Sequence, residues 1–196
     1  MKDLSLHVLD ILENAARAGA TAAAVNVSWL GTWLHLDIGD NGPGFPDAVK
    51  ADPANPFQTT RTDRTVGLGL ALLQAAAVRT GGRLELGTSP EGGARISARF
   101  DFSHFDAQPL GPLEDALCAA MLAWPSLDLS VRVGQDLREA LNTRDVREVL
   151  GGIDIGNTRV QVFLHRLLRQ ELAPVREWAD AVSLERGNPN RERCQA

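Results

Sequence analysis

The sequence predicts an α+β fold, with a first domain over residues 1–105, a small α/β module over 106–184 and a polar tail over 185–196. Three observations carry that prediction. Residues 24–29 and 33–38 alternate apolar and polar side chains on either side of Gly31, as the two arms of a hairpin do. A second alternating pair, 83–87 and 94–102, is joined by Ser89-Pro90-Glu91-Gly92-Gly93. Residues 5–18 place Val8, Ile11, Leu12 and Ala15 on one side of a helical wheel.

The opposite side of that first helix carries Asp10, Asn14 and Arg17 at i, i+4 and i+7, with Gly19 as its stop. Asn14 is a mediocre helix former in mid-helix, where Glu or Lys serves solubility better, so the stripe reads as a site. In the second arm of the hairpin Leu34, Leu36 and Ile38 alternate with His35 and Asp37, and a turn is expected from Gly39. Asp40 then stands beside Gly42 and Gly44, which flank Pro43 and let a ligand approach the main chain. Residues 46–66 hold Pro46, Pro53, Pro56 and a polar run from Gln58 to Thr65, and a loop of that length reads as a lid.

Gly67-Leu68-Gly69-Leu70 opens a second helix through Leu73 and Ala77 to Gly81-Gly82. Glycines there expose unpaired amides on which a phosphate chain can rest. Gln108-Pro109-Leu110-Gly111-Pro112 reads as a linker. Beyond it the pattern predicts a helix over 113–124, a strand over 127–133, a helix over 143–150 capped by Thr143, and a helix over 157–181 interrupted at Pro174. The tail from Glu185 is polar and is expected to be disordered.

Composition narrows the function classes. With 196 residues, 44% hydrophobic and 23% charged, the chain can bury a sizeable core. Residues 1–105 carry 9 Lys and Arg against 11 Asp and Glu and the whole chain is at −5, so no basic nucleic-acid surface is expected. Cys118 and Cys194 are far apart and suggest neither a metal site nor a disulfide framework. No apolar run reaches the roughly 18 residues of a membrane span. A cytoplasmic protein is the expectation.

The succession of an Asp10-x-x-x-Asn14 helix, a strand ending in Asp40-x-Gly42-x-Gly44, a Phe/Thr/Arg lid and Gly67-x-Gly69 opening a helix resembles one ATP-binding domain. Gyrase, the heat-shock chaperone ATPases, histidine kinases and mismatch-repair ATPases share it as the GHKL group. The resemblance implies a Bergerat-type α/β sandwich, its mixed, largely antiparallel sheet carrying helices on one face. It makes Asn14 the Mg²⁺ ligand and Asp40 the acceptor for the adenine amino group. Gly42 and Gly44 shape the adenine pocket, Gly67 and Gly69 lie against the phosphates, and Thr59, Thr60 and Arg61 belong to the lid. Arg17 stands where histidine kinases often carry a phosphate-contacting Lys. The implied ligands are ATP and Mg²⁺.

Two positions depart from the family pattern. Asp10 stands where hydrolysing members usually have Glu as general base, and its shorter reach implies slow chemistry or none. Ala94-Arg95 follows Gly92-Gly93 where many relatives place a Thr near adenine. None of His7, His35, His104 and His165 sits in a phosphoacceptor helix pair, which argues against a complete sensor kinase. The stretches 6–20, 55–62 and 66–70 are similar to small stand-alone ATP-binding proteins found with iron-only hydrogenase and NADH-oxidoreductase systems, implying a protein partner there. The expected function is an ATP- and Mg²⁺-binding regulatory protein whose lid controls partner binding or phosphotransfer. An ATPase coupled to homodimer formation and a degenerate scaffold are the alternatives.

Overall fold

The structure, a computed structural model, describes residues 1–46 and 68–186. The expected lid residues Thr59, Thr60 and Arg61, together with Gly67, lie outside the described residues. In chain order the elements are α1 (Leu4–Arg17), β1 (Ala22–Leu30), β2 (Trp33–Asp40), α2 (Leu68–Arg79), β3 (Arg83–Thr88) and β4 (Ala94–Asp101). They continue as α3 (Leu113–Ala123), β5 (Asp128–Val133), β6 (Arg138–Asn142), α4 (Thr143–Leu150), α5 (Thr158–Glu171) and α6 (Ala173–Arg186).

The strands form one sheet in the order β3-β4-β2-β1-β5-β6. Every neighbouring pair is antiparallel except β1 with β5, so the sheet is mixed and largely antiparallel, as expected. Ala23, Val25 and Val27 of β1 and Leu34, Leu36 and Ile38 of β2 are buried on one face. Against them pack Leu4, Val8, Ile11 and Leu12 of α1, Leu73 and Ala77 of α2, Leu117 of α3 and Val175 of α6. Each buried Val, Leu or Ile among them contributes roughly 1.5–3 kcal/mol by leaving water. The other face is polar; there Arg95 pairs with Asp37 at 2.7 Å.

The parallel β1–β5 pair carries the sheet past residue 105 into the C-terminal half. The segment 108–112 is fastened too. Leu4 and Ser5, whose N–H groups begin α1 and lack partners within it, donate to the carbonyls of Pro109 and Leu110, both at 3.0 Å. Asp3 caps the same helix by accepting from the Leu6 N–H at 3.1 Å. At the far end, Trp178 of α6 stacks 5.2 Å from Phe102 and 6.1 Å from Trp29, and its indole N–H donates to Gly31 O at 2.8 Å.

The structure departs from the local expectations in five places. β2 runs through Gly39 to Asp40, because Gly39 still pairs with Ala24 and Arg95; the turn starts two residues later than expected, at Asn41. The N-cap of α4 is Asn142, whose side chain accepts from the Arg144 N–H, while the Thr143 hydroxyl accepts from the Leu129 N–H at 2.8 Å. β6 was not expected, since Arg-Glu-Ala-Leu-Asn favours helix by propensity; pairing with β5 and burial of Ala140 and Leu141 override that preference. The helix expected over 157–181 is two helices, broken at Leu172 so that Pro174 falls in the first turn of α6, where its missing N–H costs nothing. That second helix continues through Glu185 and Arg186, and the Arg186 guanidinium donates to His104 O at 3.0 Å.

Candidate functional site

Asp40 is the last residue of β2, and the loop after it is locked from behind by Asn41. The Asn41 Oδ1 accepts from the N–H groups of Thr21 and Ala22 at 2.8 and 2.9 Å, and its Nδ2 donates to Thr21 Oγ1 at 2.8 Å. These three bonds fix the loop against the start of β1.

The Asp40 carboxylate is oriented by main-chain donors. Its Oδ1 accepts from the Gly42 N–H at 2.8 Å and from the Ala94 N–H at 3.1 Å. Among the described residues nothing donates to its Oδ2, which remains available at a half-buried position. Gly93 is what allows the second hairpin to come so close. A Cβ at that position meets both Asp40 O and Asp40 Oδ1 at 2.4 Å, inside any permitted contact, so only glycine fits. Gly44 has φ +78, a conformation that favours glycine.

Beside Asp40 opens a cleft lined by Ile11, Asn14 and Ala15 of α1, by Gly44 and Phe45 of the loop, and by Ile96 of β4. Asp10, Pro46, Leu70 and Ala94 are also among its lining residues. Apolar walls with a few oriented polar groups suit a flat heteroaromatic ring. At one end the Asn14 Nδ2 donates to Asp10 Oδ2 at 3.2 Å, which turns the Asn14 amide oxygen away from Asp10. A Cβ on Gly69 stands 2.0 Å from that same Asp10 oxygen, so the carboxylate lies directly on the first turn of α2. Carboxylate, amide and helix start are thus gathered where Gly69 leaves room.

The fold therefore brings Asp10, Asn14, Asp40, Gly42, Gly44 and Gly69 together. Arg17 is placed differently: its guanidinium pairs with Glu13 at 2.5 Å one turn back, and it does not line the cleft. Sequence reasoning missed Asn41, Gly93 and the Ala94 N–H. The Gly92-Gly93 pair was a visible signal of close approach, but nothing in the sequence shows which backbone it approaches. The departure at Ala94 also takes on a new meaning, since what touches Asp40 there is a backbone N–H that any residue but proline supplies.

Residues 2–104 match the model of the family described as histidine kinase-, DNA gyrase B-, and HSP90-like ATPase. The chain is 47% identical over 62 residues to the C4-dicarboxylate transport sensor protein DctB of Pseudomonas aeruginosa, covering 31% of this chain and 10% of that protein. It is 35% identical over 98 residues to the nitrogen regulation protein NtrY of Azorhizobium caulinodans, covering 45% of this chain and 13% of that protein. The chain thus spans only a small part of the length of these two relatives. Among solved structures, the ATP binding domain of PrrB from Mycobacterium tuberculosis is 28% identical, covers 50% of this chain and 67% of that one, and superposes with a TM-score of 0.37. With more than half of its length matched by the family model, this chain belongs to the histidine kinase-, DNA gyrase B-, and HSP90-like ATPase family.

Proposed function

We propose that the chain binds ATP with Mg²⁺ in the Asp40 cleft and that the occupied state controls a partner protein, by altering the face offered to it or by presenting the terminal phosphate to one of its side chains. The observation that carries this reading is the division of labour on Asp40. One oxygen is saturated by two backbone N–H groups, the other has no donor among the described residues, and Asp40 lines an apolar cleft. A carboxylate oriented in this way accepts an amino N–H and disfavours a carbonyl oxygen, which separates adenine from guanine.

The residues fit both absent groups. Asp40 holds the adenine amino group, and the glycines at 42, 44 and 93 keep side chains out of the space around it. Asn14 supplies one neutral oxygen to the metal, which suits a small hard cation that keeps most of its water. When bound, Mg²⁺ supplies positive charge that offsets the phosphates. Asp10 holds the Asn14 amide in one orientation and is short for a base; regulation is therefore placed first, phosphotransfer second and steady hydrolysis third. The likeness to proteins found with hydrogenase and NADH-oxidoreductase systems directs the partner search there, in a reduced cytoplasm.

Calorimetric titration with Mg-ATP tests this reading. Binding by the parent chain, lost in Asp40→Ala and made independent of Mg²⁺ in Asn14→Ala, supports it. A parent chain that takes up no heat with Mg-ATP overturns it.

A further inference from the structure

A second candidate surface is built on α4. An eight-residue helix is too short to persist alone in water, so its orientation reports what holds it. What holds it is its polar side. Arg144 donates to Asp128 Oδ2 at 3.1 Å, and Arg147 pairs with the same carboxylate while donating to Leu127 O at 3.1 Å and Pro125 O at 2.6 Å. Val146, Val149 and Leu150 share another side at i, i+3 and i+4; Val146 is half-buried against the core, Leu150 is half-buried and Val149 is turned outward. Thr143 is the only residue of the helix that is fully buried, and Val149 is 88% exposed.

This helix faces the first turns of α5. Val146, Val149 and Leu150 on one side and Val160 and Phe163 on the other line an open apolar groove. The Phe163 ring stands 62% exposed at its edge. Two charged residues, Asp145 on α4 and Arg159 on α5, also line it. Neither has an ion-pair partner among the described residues.

That arrangement is self-complementary. A two-fold axis through the groove places residue i of one copy against residue j of the other, and the reverse. An acid on one wall and a base on the other then meet their opposites twice, Asp145 with Arg159 and Arg159 with Asp145, while each Phe163 is available to the other copy's groove. We infer that the groove between α4 and α5 is the interface of an isologous homodimer, closed by reciprocal Asp145–Arg159 pairs around Phe163. An apolar patch built on five side chains is small for a permanent complex, so the dimer is concentration-dependent. The inference does not depend on nucleotide and is separate from the Asp40 cleft.

Sedimentation equilibrium of the full chain over a range of concentrations reads this directly. The parent chain is expected to pass from monomer to dimer, and Phe163→Asp to stay monomeric with an unchanged circular dichroism spectrum. Charge exchange separates two-fold pairing from unspecific stickiness. Asp145→Arg alone and Arg159→Asp alone are each expected to weaken self-association by on the order of tenfold. Mixing those two variants restores dimers of one copy of each, and so does placing both changes in one chain. A parent chain that remains monomeric throughout overturns the inference and leaves the groove to a helix of another protein. Dimers that persist in Phe163→Asp, or single charge variants that are not rescued by mixing, overturn it equally.

Discussion

The Ala94 N–H reaches Asp40 Oδ1 at 3.1 Å across 54 positions of chain, and this one bond joins the end of β2 to the start of β4 at the mouth of the cleft. Together with the Gly42 N–H it decides which carboxylate oxygen faces a ligand. Several measurable consequences come from that relationship and from the contacts around it.

Asp40→Asn keeps the shape of the side chain. Its amide oxygen still accepts from Gly42 and Ala94, which leaves the amide NH₂ facing the cleft, donor against the adenine amino group. An unmatched polar pair in a dry site costs about 1–3 kcal/mol, so ATP affinity is expected to fall about 10- to 100-fold without loss of thermal stability. Calorimetry and a melting curve on the same preparation check both halves of the statement.

Gly93→Ala acts on the loop rather than on the ligand. Its Cβ lies 2.4 Å from Asp40 O and 2.5 Å from the Gly42 N, so the two hairpins must part. A loss of about 1–3 kcal/mol in urea unfolding is expected together with weak ATP binding. Gly87→Ala, where a Cβ meets nothing within 4 Å, is the control and should bind as the parent does.

Gly69→Ala should separate stability from metal response. Alanine is the better helix former by about 1 kcal/mol, yet its Cβ occupies the place of Asp10 Oδ2, 2.0 Å away. The Asp10 side chain can rotate aside, at the cost of its bond from Asn14. The melting temperature is expected to hold or rise, while the gain in ATP affinity on adding Mg²⁺ shrinks.

His7 makes the stability of the fold depend on pH. It is 2% exposed on α1, and burial first, then the positive chain terminus, push its pKa below the ordinary 6.5, against weaker opposing effects of Gln108, Asp10 and Asp3. The unfolded chain takes up a proton that the folded chain refuses, so stability is complete above 6.5 and falls as pH drops through it. His35, lowered by burial and by Arg99, adds in the same direction. Urea midpoints at about pH 5.5 and about pH 7.5 should differ in the parent and differ by less in His7→Leu, where only the His35 contribution remains.

Sheet and site were not equally legible in the sequence. Strict alternation in β1 and β2 and the i, i+3, i+4 pattern of α1 pointed to the hairpin, the buried face and the polar stripe of Asp10 and Asn14, because burial on one face leaves a periodic trace. β6 left none, since Ala140 and Leu141 are covered by contacts whose partners lie elsewhere in the chain. Asn41 and Gly93 were missed for the same reason: the first reaches back to Thr21 and the second is defined by what it must not touch. Arg17 was given a phosphate contact by the family resemblance, and the structure adds its pair with Glu13 one turn back. Long-range main-chain contacts carry no local pattern, and the Asp40 cleft is held together largely by such contacts.

The claim at the centre of this account is that the open oxygen of Asp40 reads an amino group. Titrating the parent chain with Mg-ATP and, in parallel, with Mg-GTP tests it most directly. ATP is expected to bind and GTP to bind on the order of tenfold or more weakly, because its carbonyl faces an acceptor. Equal affinities for the two, or preference for GTP, would contradict it.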